Sequence, residues 1–333
     1  MYIIESYYTA IYLSIVTMFC WGSWANTQKM ASKKWPFQLF YRDYVIGVFL
    51  FSLVWAFTFG SNGESGQGFL ENFSQAGYNM MFIAFLGGVI FNLANILLVA
   101  AIDIVGLAIA FPVAIGISCA LGTTINYFAQ PGETIVSLLF TGIFFFLVAV
   151  VINSFAYKRL QSAKQEKSYK GLFISMLSGL FMGIFYYAVA ISISADFEII
   201  QCGKLTPYTA VVLFSLGVLL SDFIWNSNIL AKLKLWDRVD YSSFWNGKPS
   251  LHLVGILGGV IWSIGMCMSI ISGGRAGYAI SFGLGNGATI IAALWGIFIW
   301  KEFKNATRKT FIMLASMFFF FMMAIILIIL SKS

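Results

Sequence analysis

Eight side chains set in otherwise apolar stretches carry most of the chemistry this sequence can offer: Trp21, Trp24, Asn92, Asn95, Asn126, Tyr186, Trp262 and Asn286. A carboxamide donates and accepts hydrogen bonds, while an indole or phenol adds a flat face with one polar edge. Together such groups suit a small neutral polar solute, a sugar or a ureide, held against rings. Asn92 and Asn95 stand three apart and so share one helix face. Ser118, Thr123, Thr124, Ser281 and Thr289 add hydroxyls in the same stretches. The competing role for such Asn, Ser and Thr residues is to tie helices together. For Trp and Tyr it is an interfacial belt, which is the expectation for Trp35, Trp236 and Trp245 in the loops.

Proton movement needs a titratable group. An ionised acid at the centre of a membrane helix costs at least ~2.5–3.5 kcal/mol on insertion scales, so acids there are rare and usually functional. None of the acids falls mid-span. Asp43 and Asp222, near span ends, are the proton-coupling candidates, and the adjacent Arg42 offers Asp43 a structural partner. Asp103 lies at a tight turn, and Glu133 and Glu302 lie at or just past helix ends, where capping or loop pairing is expected. His252, the single histidine, starts a span beside the interface and is a further titrating candidate. No nucleophile–base pair and no metal-ligand cluster is recognisable, so the expectation is no enzyme, no cofactor and no metal. The four cysteines show no CxxC pairing.

The elements that must position these residues follow from composition. Of 333 residues 60% are hydrophobic and 10% charged, against about 25% charged in soluble domains. With a mean hydropathy of +0.86 the chain has too little polar surface to face water. That excludes a soluble enzyme and a nucleic-acid binder, and the formal charge of +7 is read as loop topology. Runs near the 20 residues a bilayer requires number ten: 8–26, 40–60, 79–102, 106–128, 133–156, 171–194, 206–226, 250–272, 276–300 and 309–331. Alternate connections carry 17 Lys and Arg on one side and three (Lys204, Arg275, Lys332) on the other. The larger group includes Lys29, Lys33, Lys164, Lys167, Lys232, Lys234, Arg238, Lys301 and Lys304. Positive charge marks the cytoplasmic side, so both termini are expected outside.

Shifted by 171 residues, the chain matches itself. Leu86 to Ile90 falls on Leu257 to Ile261, and Gly106, Ala108, Ile109, Phe111 and Gly116 fall on Gly277, Ala279, Ile280, Phe282 and Gly287. These are 10 identities in 31 positions, where chance gives about 3. The organisation implied is an all-α integral membrane protein of ten transmembrane helices in two inverted five-helix repeats. The repeats are 1–156 and 171–333, joined by a basic linker at 157–170. Five spans is an odd number, so the second copy enters in the opposite sense, the architecture of secondary transporters with a midplane site between the copies. The run Gly283 to Gly287 sits inside an apolar span, which argues against a nucleotide loop and for a locally loosened helix at a substrate site.

Several stretches resemble the ureide permeases of the drug/metabolite transporter superfamily, with related features of L-rhamnose–proton symporters and glucose/ribose porters. They include Met1-Tyr2 with Glu5-Ser6, Gly22-Ser23-Trp24, Asp43-Tyr44, Asn95 eleven residues before Gly106, and Gly122 to Tyr127. Leu294 to Phe298 and Glu302 through Thr310 continue the likeness, while Ala114 to Ile117 is closer to the rhamnose symporters. The short linker lacks the phosphate-loop-like motif of the plant proteins, and Ala94 stands where that family usually has Gly. The resemblance implies the drug/metabolite transporter fold and proton-coupled uptake of a small neutral metabolite across the cell (inner or plasma) membrane. That metabolite is a monosaccharide such as ribose or rhamnose, or a ureide or nucleobase. The alternative is an exporter of lipophilic compounds. Expected partners are the small-molecule substrate, a proton and membrane lipid, without nucleic acid, and the expected state is a monomer or homodimer.

Overall fold

In lipid no water is present to satisfy the backbone, so apolar runs of this length must close their hydrogen bonds within helices. The computed structural model, which describes residues 1–31, 34–130, 133–160, 168–226, 239–304 and 306–332, accordingly consists of helices and connections. In chain order these are α1 (Tyr7–Ser23), α2 (Ala25–Ala31), α3 (Phe37–Phe57), α4 (Phe69–Gln75), α5 (Tyr78–Val105), α6 (Leu107–Ala129) and α7 (Val136–Leu160). There follow α8 (Tyr169–Ser192), α9 (Pro207–Trp225), α10 (Pro249–Ala276), α11 (Tyr278–Gly285), α12 (Ala288–Leu294) and α13 (Arg308–Leu330). Among the described residues nine helices are long and apolar enough to cross a membrane, taking Tyr78–Val105, for example, as one and Tyr278–Ile299 as another. The chain is therefore a multi-pass integral membrane protein.

The expected first span departs from a simple rod. α1 has 17 residues, a tighter turn follows at Trp24, where the Thr27 N–H donates to the Trp24 carbonyl, and α2 carries the chain on to Ala31. The expected ninth span is likewise broken. α11 ends at Gly285, Asn286 and Gly287 interrupt the ladder, and α12 passes into a π-turn at Trp295–Ile299. Other starts are fixed by local chemistry. Pro207 and Pro249 take first-turn positions where no N–H is needed. Thr206, Thr307 and Ser168 accept backbone N–H groups of the first turns that follow them.

The termini share one face: the Met1 amine donates to the Ser65 carbonyl at 2.6 Å, and the Tyr7 hydroxyl donates to Ile329 near the other end of the chain. Burial lowers the pKa of that amine. The opposite face carries Lys29, Lys158, Arg159, Lys301, Lys304 and Arg308, and we call it the basic face. Lys33, Lys164, Lys167, Lys232, Lys234, Arg238 and Trp236 lie outside the described residues.

With no hydrophobic drive between helices in lipid, close packing depends on small residues. A Cβ at Gly88 would fall on the Phe214 carbonyl of α9, and one at Gly259 on the Tyr44 carbonyl of α3. Gly217 meets Phe85 and Gly47 meets Ile256 in the same way. The connections after α5 and α10 are single glycines, Gly106 at φ 78° and Gly277 at φ 91°, a backbone that other L-residues rarely adopt. At the centre Phe91, Phe185, Phe214 and Trp262 form a continuous ring cluster, with Phe91 and Trp262 centroids 4.5 Å apart.

Candidate substrate-binding site

A cavity of about 170 Å³ opens where α1, α5, α6, α8, α10 and the α11–α12 break meet. Five of the eight side chains singled out from the sequence line it: Trp21, Trp24, Asn95, Trp262 and Asn286. Ser118 and Thr289 add hydroxyls to the same wall. The Trp21 and Trp262 rings stack at 5.9 Å and 12°, and Trp24 packs on Tyr44 at 4.8 Å. Asn95 donates its amide to the Tyr41 hydroxyl at 3.2 Å, and Asn286 donates to the Phe282 carbonyl at 2.9 Å. Both side chains are thereby oriented, while among the described residues neither Oδ1 accepts a hydrogen bond. The buried Trp21 Nε1 has no partner either. Two acceptors, one donor and parallel rings can hold a flat, neutral molecule that both donates and accepts.

The remaining three candidates are placed elsewhere. Asn92 donates to the Val218 carbonyl and to Ser221 Oγ at 2.8 Å, so it ties α5 to α9 instead of sharing the cavity with Asn95. Asn126 donates to the Gly122 carbonyl of its own helix at 2.8 Å. Tyr186 lies behind the cavity, its hydroxyl 2.8 Å from Ser269 Oγ. The wall also contains Phe91, Phe185 and Phe282, none of which was singled out. Phe91 was within reach of the repeat, since it falls on Trp262 in the 171-residue register.

Two ion pairs flank the site on the α3 side without lining it. Asp43 lies 2.8 Å from His252 Nδ1 and accepts from Trp35 Nε1 at 3.0 Å. Trp35 is thus buried in a polar contact and is no belt residue, because its indole N–H is needed by a carboxylate with little access to water. Arg42 reaches away from its neighbour Asp43 and pairs with Asp222 at 3.3 Å, contrary to the adjacency in sequence, because successive side chains leave a helix about 100° apart. Tyr241, beside Arg42, is pushed up to about 12 by burial and donates to the Asn226 carbonyl. Trp245 remains exposed.

The cavity is bounded differently at its two ends. Toward the termini, Tyr186, Ser269, Ser281 and Ser14 form a fully buried hydroxyl chain. Toward the basic face stand Lys29 and Glu302, paired at 2.6 Å, with the Tyr157 hydroxyl donating to the other Glu302 oxygen at 3.3 Å.

The model of the ureide permease family matches residues 40–170 and 157–331. The chain belongs to the ureide permease family. Ureide permease 1 of Arabidopsis thaliana is 25% identical over 95% of each chain, and Ureide permease 5 of the same plant is 24% identical over 95% of this chain and 92% of its own. A probable ureide permease A3 of Vigna unguiculata is 31% identical over 46% of this chain and 42% of its own. Family members bearing the name permease are transporters, so this chain is a membrane transporter and not an enzyme. A solved crystal structure of a protein 14% identical in sequence shares the fold at a TM-score of 0.63, covering 98% of this chain and all 100% of that one.

Proposed function

We propose that this ureide permease family member is a secondary transporter that moves a ureide, nucleobase or similarly small neutral metabolite, coupled to protons, by alternating access. The observation that carries the reading is the cavity, where Trp21, Trp24, Asn95, Trp262 and Asn286, drawn from both halves of the chain, converge. The halves are residues 1–156 and 171–333, inserted in opposite senses and linked by 157–170. Their paired contacts support this. Gly88 on Phe214 answers Gly259 on Tyr44, Gly217 on Phe85 answers Gly47 on Ile256, and the left-handed Gly106 answers Gly277. The bond from Asn92 to the Val218 carbonyl is matched by one from Ser263 to the Val48 carbonyl. Two copies related in this way can exchange conformations and open the cavity to either side. The basic face is then cytoplasmic and the termini lie outside.

Asp43 and Asp222 are the carboxylates assigned to coupling. Asp222 already has a permanent cation in Arg42, whereas Asp43 faces the His252 imidazole and the Trp35 indole, which favours Asp43. In proteoliposomes, uptake of radiolabelled allantoin should be competed by uracil more strongly than by ribose and should collapse with a protonophore. Asn95→Ala should lower it more than tenfold, the loss of a buried hydrogen bond together with the orientation it gives. Equal uptake by wild type and variant would overturn the site assignment. The apolar rings of the wall favour one other reading, an exporter of lipophilic compounds. Displacement of a bound cationic dye without any competition by allantoin would support that alternative.

A further inference from the structure

The cavity does not end at Ala25 and Thr289. A second chamber, of about 220 Å³, continues it toward the basic face and shares Gly22, Ala25, Phe111, Thr289 and Ala292 with it. Its chemistry is different. Where the first chamber is walled by rings, the second presents Asn26, Asn153, Tyr157 and the Lys29–Glu302 pair. Asn153 stands on α7, is 7% exposed, and its Oδ1 has no hydrogen-bond partner among the described residues. Asn92 and Asn126 also leave an oxygen unpartnered, but their amides are bonded to protein and they line neither chamber. Asn153 lines this one, and a buried acceptor without a partner ordinarily finds a donor in water or in a ligand. The oxygen of Asn153 therefore calls for an N–H or O–H group in the chamber it lines.

On its exposed side this chamber is lined by the Lys29–Glu302 pair. Lys29 Nζ lies 2.6 Å from Glu302 Oε1 and 4.3 Å above the Trp300 ring, and Trp300 Nε1 donates to Asn26 Oδ1 at 2.6 Å. The pair is 42% and 34% exposed, so it is screened and weakly held. The pair sits on two segments that follow interruptions in their helices. Lys29 lies on α2, beyond the break at Trp24, and Glu302 follows the π-turn, beyond the break at Asn286. Both interruptions border the central cavity, so a solute seated there touches the two elements that carry the pair.

We propose that the second chamber is a binding subsite for the same neutral, N–H-bearing solute on its way to or from the basic face, with Asn153 as acceptor and Lys29–Glu302 as its door. The inference rests on the transport reading above. It predicts an asymmetry that the central site alone does not produce, because only solute arriving from the basic face must pass this subsite first.

The test uses the full chain in proteoliposomes of uniform orientation, with the half-saturation concentration for allantoin measured separately at each face. Asn153→Ala should raise it about tenfold at the basic face, the loss of one buried hydrogen bond, and leave the opposite face within about twofold. Glu302→Gln, at an exposed position where folding is not at stake, should speed entry from the basic face alone. Equal changes at both faces, or no change at either, would overturn the subsite. Should Asn153→Ala fail to fold, Glu302→Gln decides by the same criterion. If wild-type protein moved no allantoin from either face, the transport reading would fail first, so the two failures are distinguishable.

Discussion

Toward the termini the cavity ends in Tyr186, Ser269, Ser281 and Ser14, none of them exposed, joined by hydroxyl contacts of 2.8, 3.1 and 3.5 Å. Toward the basic face it ends in Lys29 and Glu302, both partly in solvent and followed by a polar chamber. The first closure is made of packed helices, with Tyr278 and Phe282 buried alongside the hydroxyls, and parting it means separating α1, α8, α10 and α11 together. The second is a partly exposed side-chain cluster of Lys29, Glu302, Tyr157, Trp300 and Asn26. The terminal end is thus fully buried and hydrogen-bonded, while the basic end is partly exposed. Under the alternating-access reading the larger rearrangement falls on the terminal face, since polar groups that leave a satisfied network in a low-dielectric interior lose more than those that can turn to water.

That contrast can be broken by experiment. The largest effect is expected from Ser281→Leu, which forces a branched side chain into the buried closure. It should reduce transport more than tenfold and destabilise the protein by about 1–3 kcal/mol, read as a fall in thermal melting temperature in detergent. A variant that transports normally would show that the terminal closure is not tightly packed. Tyr186→Phe keeps the ring and deletes the hydroxyl, leaving Ser269 short of one partner. It should cost about 1 kcal/mol and increase labelling of a cysteine placed at Ser14 by a reagent added at the terminal face. Lys29→Gln is the smallest perturbation. An exposed ion pair contributes about 0–1 kcal/mol, so melting should barely move while solute enters faster from the basic face. Should Lys29→Gln prove as destabilising as Tyr186→Phe, the two ends would be equally built and the comparison would fail.

Much of this architecture was legible in the sequence, and the reasons are specific. Long apolar runs determine helices in lipid, so nine of the ten expected spans appear as membrane-length helices among the described residues, while the first folds as α1 and α2 and the turn expected at Asp103 falls at Gly106. The loosened ninth span was legible because Gly283 to Gly287 is a poor helix former. What could not be read was direction. In a helix apolar all round, period carries little information about which face meets the cavity. Asn92 and Asn95 share a helix face by spacing, yet one bonds α9 and the other lines the cavity. Tyr186 likewise follows the lining residue Phe185 directly, yet its hydroxyl is turned to Ser269. Trp35 resembled a belt residue because its partner, Asp43, was credited to Arg42. The door at Lys29 and Glu302 joins residues 273 apart, and nothing local to either marks the pairing.

The central claim is that solute sits among Trp21, Asn95, Trp262 and Asn286 at the junction of the two halves. A structure of the protein determined by electron cryomicroscopy with allantoin tests it most directly. The account predicts density in that cavity, with donors of the ligand within hydrogen-bonding distance of the Oδ1 atoms of Asn95 and Asn286 and its plane against the Trp21–Trp262 stack. Allantoin density elsewhere, with this cavity empty, would contradict it.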